Sequence, residues 1–244
     1  MNQRLLSPRA VACLLLAGVG ASCRSAATAP PPPPPPSATA IPAAEATAEG
    51  PHAAQAAARE EVELAVRTGF LSREELVQLW LDVLEEEDGD LSRAQEGAQR
   101  GVDVLLEQRR KAATGWPKVT DCDRLDAAFA SLELAGILAR QHFGDCQTCA
   151  LADMEEEMDD AREARTKVLG YTFFHQQDTE RAVEGGPLLL SFGDAGRNND
   201  AASVAVGRQV VAVLERHELK VAWDGKAASR IGVLLDWKRR PPAR

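Results

Sequence analysis

The chain has 244 residues, with 28 Lys and Arg against 37 Asp and Glu and a formal charge of −9. An acidic surface of this kind repels nucleic acid and anionic headgroups, so no nucleic-acid partner is expected. The stretch beyond residue 52 is long enough for one good core or two small ones.

The N-terminus reads as three zones. Arg4 and Arg9 make a basic start, Ala10 to Val19 is apolar, and Gly20, Ala21 and Ser22 precede Cys23. The apolar run falls short of the roughly 20 residues that cross a bilayer, and small residues follow it where a signal peptidase cuts. Residues 1–22 are therefore expected to be a signal peptide. Cys23 stands where a lipoprotein signal has its acylated cysteine, although Gly20 occupies a position where Leu is usual. The expectation is an exported protein anchored in the cell envelope through a lipid on Cys23, facing the periplasm or exterior. Cleavage after Ala21 or Ser22 would instead release a soluble secreted chain. With Arg4 and Arg9 removed, 26 basic residues face 37 acidic ones, a formal charge of −11.

Residues 23–54 are expected to be a disordered linker, rich in Ala, Thr and Pro and lacking the apolar side chains that offset ordering entropy. Seven consecutive prolines, Pro30 to Pro36, favour polyproline II and a stiff spacer of roughly 20 Å.

Residues 55–115 read as a helical subdomain. Leu76, Leu79, Trp80, Val83 and Leu84 fall on one stripe, opened by a capping box of Ser72 and Glu75. A second box, Ser92 with Gln95, opens a helix with Ala94, Ala98, Val102, Leu105 and Leu106 inward. The acidic turn between them, Glu85 to Asp90, fails as an EF-hand. With Gly89 at loop position six, position one is Leu84, which has no oxygen to offer.

Gly115, Trp116 and Pro117 break the pattern and open an α+β region over 116–244. A helix capped by Asp121 or Asp123 buries Leu125, Phe129 and Leu132 and stops at Gly136. A strand from Ile137 to Phe143 follows. A helix over Thr148 to Arg165 then carries Met154 and Met158 on one face and a dense acidic surface on another. Next come a strand from Val168 to Phe174, a polar segment from His175 to Glu184, and a short strand from Leu188 to Phe192. A long helix capped by Asn199 or Asp200 buries Val206, Val210, Val213 and Leu214. Strands from Lys220 to Trp223 and Ile231 to Trp237 close the chain, with Trp223 and Trp237 as packing residues. The expected fold is α+β, a helical subdomain followed by a mixed or antiparallel sheet layered with helices.

Several stretches, TDCDRLDAAFASLELAGILARQHF, CQTC, GYTFFHQQDTERAVEGG, VAVGRQVVAVLERH, VAWDG and LDWKRR, together resemble an uncharacterised bacterial family, domain of unknown function 6891. The resemblance runs from Thr120 to Arg240 and more loosely over Glu60 to Trp116. It implies no activity, and the leader and proline stretch lie outside it.

Two places carry candidate chemistry. Cys146 and Cys149 form a C-x-x-C at a predicted helix start, where the helix N-terminus lowers the pKa of the first thiol. With Cys13 and Cys23 in the leader region, three thiols remain, an odd number that argues against a purely structural disulfide framework. The pair supplies half of a tetrahedral zinc site, which His142, His175 or Cys122 would have to complete. Alternatively it is a thioredoxin-like dithiol faced by Pro187. Against this, Gly144 and Asp145 replace the usual aromatic, and a helix stands where a strand is expected. A short structural disulfide, or inert thiols, is the plain alternative. The second place is FFHQQDTER, where His175, Asp178, Glu180 and Arg181 suit acid/base work or ligand fixing, unless Asp178 is merely a helix cap. No G-x-S-x-G, P-loop or G-x-G-x-x-G occurs. The expected function is a non-catalytic binding or interaction module for an unknown protein or small molecule. A zinc- or thiol-dependent site is the alternative.

Overall fold

The computed structural model describes residues 51–86, 94–196 and 199–242. The predicted leader, most of the linker, Cys23, the capping serine Ser92 and most of the acidic turn lie outside them. Among the described residues no helix is long and apolar enough to cross a membrane.

Helices α1 (Pro51–Thr68), α2 (Arg73–Glu86) and α3 (Ala94–Ala113) come first. The first begins four residues before the expected Gln55, with proline at its opening position, where the missing N–H costs nothing. Ser72 and Glu75 form the predicted capping box, with Glu75 Oε2 accepting from the Ser72 N–H at 2.7 Å. The three helices enclose their own core around Val62, Leu76, Trp80, Leu84, Val102 and Leu106. Leu79 and Val83 are only partly buried there, and Val77 takes a core place instead. Gly101 is required by this packing, because a Cβ there would lie 2.5 Å from the Trp80 ring.

Beyond the Gly115 break, the elements are α4 (Asp121–Leu134), β1 (Ile137–Arg140), α5 (Gln147–Glu163), β2 (Gly170–Phe173) and α6 (Gln176–Val183). Then follow β3 (Leu188–Asp194), α7 (Asp200–Arg216), β4 (Lys220–Ala222) and β5 (Ile231–Leu234). The sheet order is β1-β2-β3-β5-β4, with β1 and β2 parallel and the other neighbours antiparallel. The fold is therefore α+β with a mixed sheet.

Four details differ from the sequence reading. Thr120, not Asp121 or Asp123, caps α4: its Oγ1 accepts from the Asp123 N–H at 3.2 Å while Asp123 Oδ2 accepts from the Thr120 N–H at 2.7 Å. Strand β1 stops at Arg140, because His142 turns into the left-handed region at φ 51°. The polar segment after β2 is the helix α6, which exposes its glutamines and buries Asp178, Thr179 and Ala182. The last two strands end before Trp223 and Trp237.

Helices α4 and α7 cover one face of the sheet, where Leu125, Phe129 and Leu132 meet Ile137, Leu190, Ile231 and Val233. Helix α5 covers the other face at β1 and β2, setting Met154 and Met158 against Phe173, Leu138 and Tyr171. The C-terminal segment runs back to the helical part. There Trp237 Nε1 donates to the Arg67 and Thr68 carbonyls at 3.2 Å each. The Arg239 guanidinium lies 4.3 Å over the Phe70 ring and pairs with Asp126 at 2.7 Å.

Candidate functional site

Asp178 is the centre of the FFHQQDTER stretch. It is the third residue of α6 rather than its cap, a place taken by His175, and its carboxylate is fully buried. Its Oδ2 accepts from the His175 backbone N–H at 3.3 Å, and the His175 ring Nε2 lies 3.0 Å from the same oxygen. Arg181 Nη1 reaches Oδ1 at 3.1 Å. Arg230, just ahead of β5, binds both carboxylate oxygens and also donates to the Leu189 carbonyl at 2.6 Å. A buried carboxylate held by a bidentate arginine is charge-compensated, and it ties α6 to β3 and β5.

The imidazole of His175 is 5 % exposed. Burial holds its pKa below the ordinary value, with Arg230 and Arg181 adding to the effect against the pull of Asp178. The ring is thus neutral at neutral pH. Its Nδ1 is buried without a partner. Glu180 accepts from Gln176 Nε2 at 2.8 Å. With His175 and Asp178 closed off from solvent, acid/base chemistry at this pair has no access for a substrate. The cluster works as a bolt between elements.

His142 lies on the turn after β1. Its ring stacks on Phe70 at 4.5 Å between centroids, and Nδ1 meets Thr179 Oγ1 at 2.9 Å. Burial, aided by Arg239, pushes its pKa down to about 4. Cys122 is buried on α4, and burial pushes its thiol up to about 11.

Cys146 and Cys149 stand apart from these groups. Cys146 is the N-cap of α5 and Cys149 is its third residue, and their sulfurs lie 3.3 Å apart. All three described cysteines are free thiols. Among the described residues no three His, Cys, Asp or Glu side chains come together in a metal-holding group. Among the described residues the dithiol is therefore not joined by His142, His175 or Cys122, and the zinc site that the sequence offered as an alternative is not assembled there.

One concavity brings together side chains from several elements. A cleft of about 290 Å³ lies between α5, the ends of β2 and β3, and the start of α7, closed on one side by Ala227 and Ala228. Met154 and Met158, both nearly fully buried, form its apolar floor together with Tyr171 and Phe192. Glu155, Asp194 and Asp200 supply carboxylates, and Asp194 accepts from Ser203 Oγ at 2.8 Å and from the Gly196 N–H at 2.9 Å. Gly193 lets Tyr171 cross the strand, since a Cβ there would lie 2.6 Å from the phenol oxygen. Burial raises the pKa of that phenol, and Asp194 and Glu155 raise it further, so the cleft is electrically negative. Two larger hollows are lined mainly by charged residues of exposed helix faces, one around the Arg73–Asp103 ion pair and one along α1. Sequence reasoning missed the cleft because its residues come from five separate stretches with no common motif.

Neither a curated protein nor a solved structure matches the chain. A family model does match, over residues 51–241, which takes in every described element from α1 to β5. The chain belongs to the family described as Domain of unknown function (DUF6891).

Proposed function

We propose that the protein is a non-catalytic binding module, exported and tethered through a lipid on Cys23, that holds a small ligand in the cleft between α5 and α7. The observation that carries this reading is the lining of the cleft. It has an apolar floor of Met154, Met158 and Tyr171, with Glu155, Asp194 and Asp200 beside it. The cleft sets apolar side chains beside convergent carboxylates, and a concave site in which a few placed polar groups fix a ligand's orientation over apolar surface is a usual form of a small-molecule site. Negative charge beside an aromatic ring favours a ligand with an apolar body and one cationic group.

The test is isothermal titration of the purified chain against a panel of aromatic and aliphatic amines, with matched carboxylic acids as controls. Micromolar binding of an amine, weakened at least tenfold in both Tyr171→Ala and Glu155→Gln, is the expected result. Amines that bind no better than the acids would overturn the ligand assignment. The tether is tested separately by metabolic labelling with a clickable fatty acid. Label is expected in the wild type and absent in Cys23→Ser, and an unlabelled wild type sinks the lipid anchor.

A further inference from the structure

We propose that Cys146 and Cys149 form a thiol–disulfide exchange site, in which Cys146 attacks a disulfide-bonded co-substrate and Cys149 resolves the product into an intramolecular disulfide. This goes beyond the cleft and does not depend on it.

The argument starts from position. The two sulfurs are 3.3 Å apart across the first turn of a helix of 17 residues. A small change in side-chain torsion closes that gap to a bond with little backbone movement. Both thiols are reachable, Cys149 being exposed and Cys146 half-buried, whereas Cys122 is sealed in the core. Gly144, at φ +69°, lets the chain fold tightly onto the first turn of α5, where a Cβ would stand 3.1 Å from the Ala150 nitrogen. The same glycine's carbonyl accepts from the Gln176 N–H at 3.0 Å, fixing the turn on the start of α6. The dithiol is therefore held on packed structure rather than on a free loop.

The two sulfurs are also chemically unequal. Cys146 makes no capping hydrogen bond of full geometry. The N–H of Cys149, the Cys149 thiol and the N–H of Thr148 nonetheless lie close enough to lower its pKa. The Cys149 thiol is raised by its contact with Cys146. The helix N-terminus adds positive potential at the same point. A reachable, half-buried thiol of lowered pKa beside an exposed second thiol is the arrangement of an attacking and a resolving cysteine.

The chemistry balances with a disulfide RSSR as oxidant. The Cys146 thiolate attacks one sulfur, forming a mixed disulfide with RS and expelling RS⁻. Cys149 then loses its proton to solvent, and its thiolate attacks the Cys146 sulfur, expelling the second RS⁻. Both leaving groups take up protons. The protein dithiol loses two electrons, and RSSR becomes two RSH.

The experiment uses the full chain, reduced and then equilibrated in buffers of stepped glutathione to glutathione disulfide ratio, with acid quench, alkylation and peptide mapping. Cys146 and Cys149 are expected to oxidise together to one disulfide while Cys122 stays reduced. Cys149→Ser is expected to trap glutathione on Cys146, and to do so about tenfold faster at neutral pH than Cys146→Ser traps it on Cys149. Circular dichroism of the folded variants separates lost reactivity from lost structure. Three results overturn the proposal: thiols that stay reduced in excess glutathione disulfide, equal trapping rates in the two variants, and a stoichiometric zinc ion that protects the pair from oxidation.

Discussion

Removing the charge of Asp178 tests whether the FFHQQDTER cluster holds the fold together. In Asp178→Asn the side chain keeps its shape but no longer neutralises Arg230, whose side chain is only 21 % exposed. Arg181 is 46 % exposed and can turn to water, so its share is at most about 1 kcal/mol. The dominant loss is a mostly buried guanidinium left facing the Leu189 carbonyl without a counter-charge. Breaking one side of such a pair costs about 3–5 kcal/mol. For a folded region of this size, that lowers the melting temperature by roughly 6–20 °C. Urea and thermal unfolding followed by circular dichroism measure it, alongside Arg230→Met and the double variant. Because the double variant removes both charges, it should recover about 2 kcal/mol relative to the sum of the singles. A loss under about 1 kcal/mol in Asp178→Asn, or strict additivity, would show that solvent already screens this carboxylate and would refute the reasoning.

The neutral form of His142 is favoured in the folded state, since its pKa falls from 6.5 to about 4. Between those values the unfolded chain binds the extra proton, so stability falls as pH drops through this window, by up to about 3 kcal/mol, and levels off below it. Urea midpoints from pH 7 to 4 should show the decline, and His142→Gln should flatten it. Arg239→Gln removes one cause of the shift together with the pairing to Asp126 and Gln141. The His142 resonance in NMR should then titrate at higher pH, with a stability loss of about 2–4 kcal/mol. Two glycines of α3 should behave oppositely. Gly101→Ala drives a methyl into Trp80 and should cost about 1–3 kcal/mol, whereas Gly97→Ala meets nothing within 4 Å and should add about 0.5–1 kcal/mol. Thermal melts of both variants check this pair.

Where burial follows an apolar stripe, the sequence is enough to place it. Ala94, Ala98, Val102, Leu105 and Leu106 are buried as their spacing requires, and so are Met154 and Met158. Helix α6 escapes such reading because two of its three buried residues are polar, Asp178 and Thr179, so no apolar period marks the inward face. Its burial depends on Arg230, 52 residues away, a partner that local pattern cannot supply. The dithiol was legible as C-x-x-C at a helix start, which is where the structure puts it. Its isolation from the histidines was not, because that depends on how β1, α5 and α6 meet. Thr120 was passed over as a cap because Asp121 and Asp123, one and three positions after it, offer the same side-chain acceptor chemistry.

The return of Trp237 to the end of α1 also has a consequence in time. Its indole seals carbonyls 170 residues earlier in the chain. At about 5–20 residues per second, a ribosome takes roughly 10–30 s to deliver that tryptophan after Arg67 has been made. Throughout that interval the end of α1 has no lid, and neither Phe70 nor Asp126 has met Arg239. The end of α1 is therefore completed only once the segment after β5, which carries Trp237 and Arg239, has been made. Until Trp237 emerges, a nascent chain keeps the Arg67 and Thr68 carbonyls without the indole that bonds them in the folded protein.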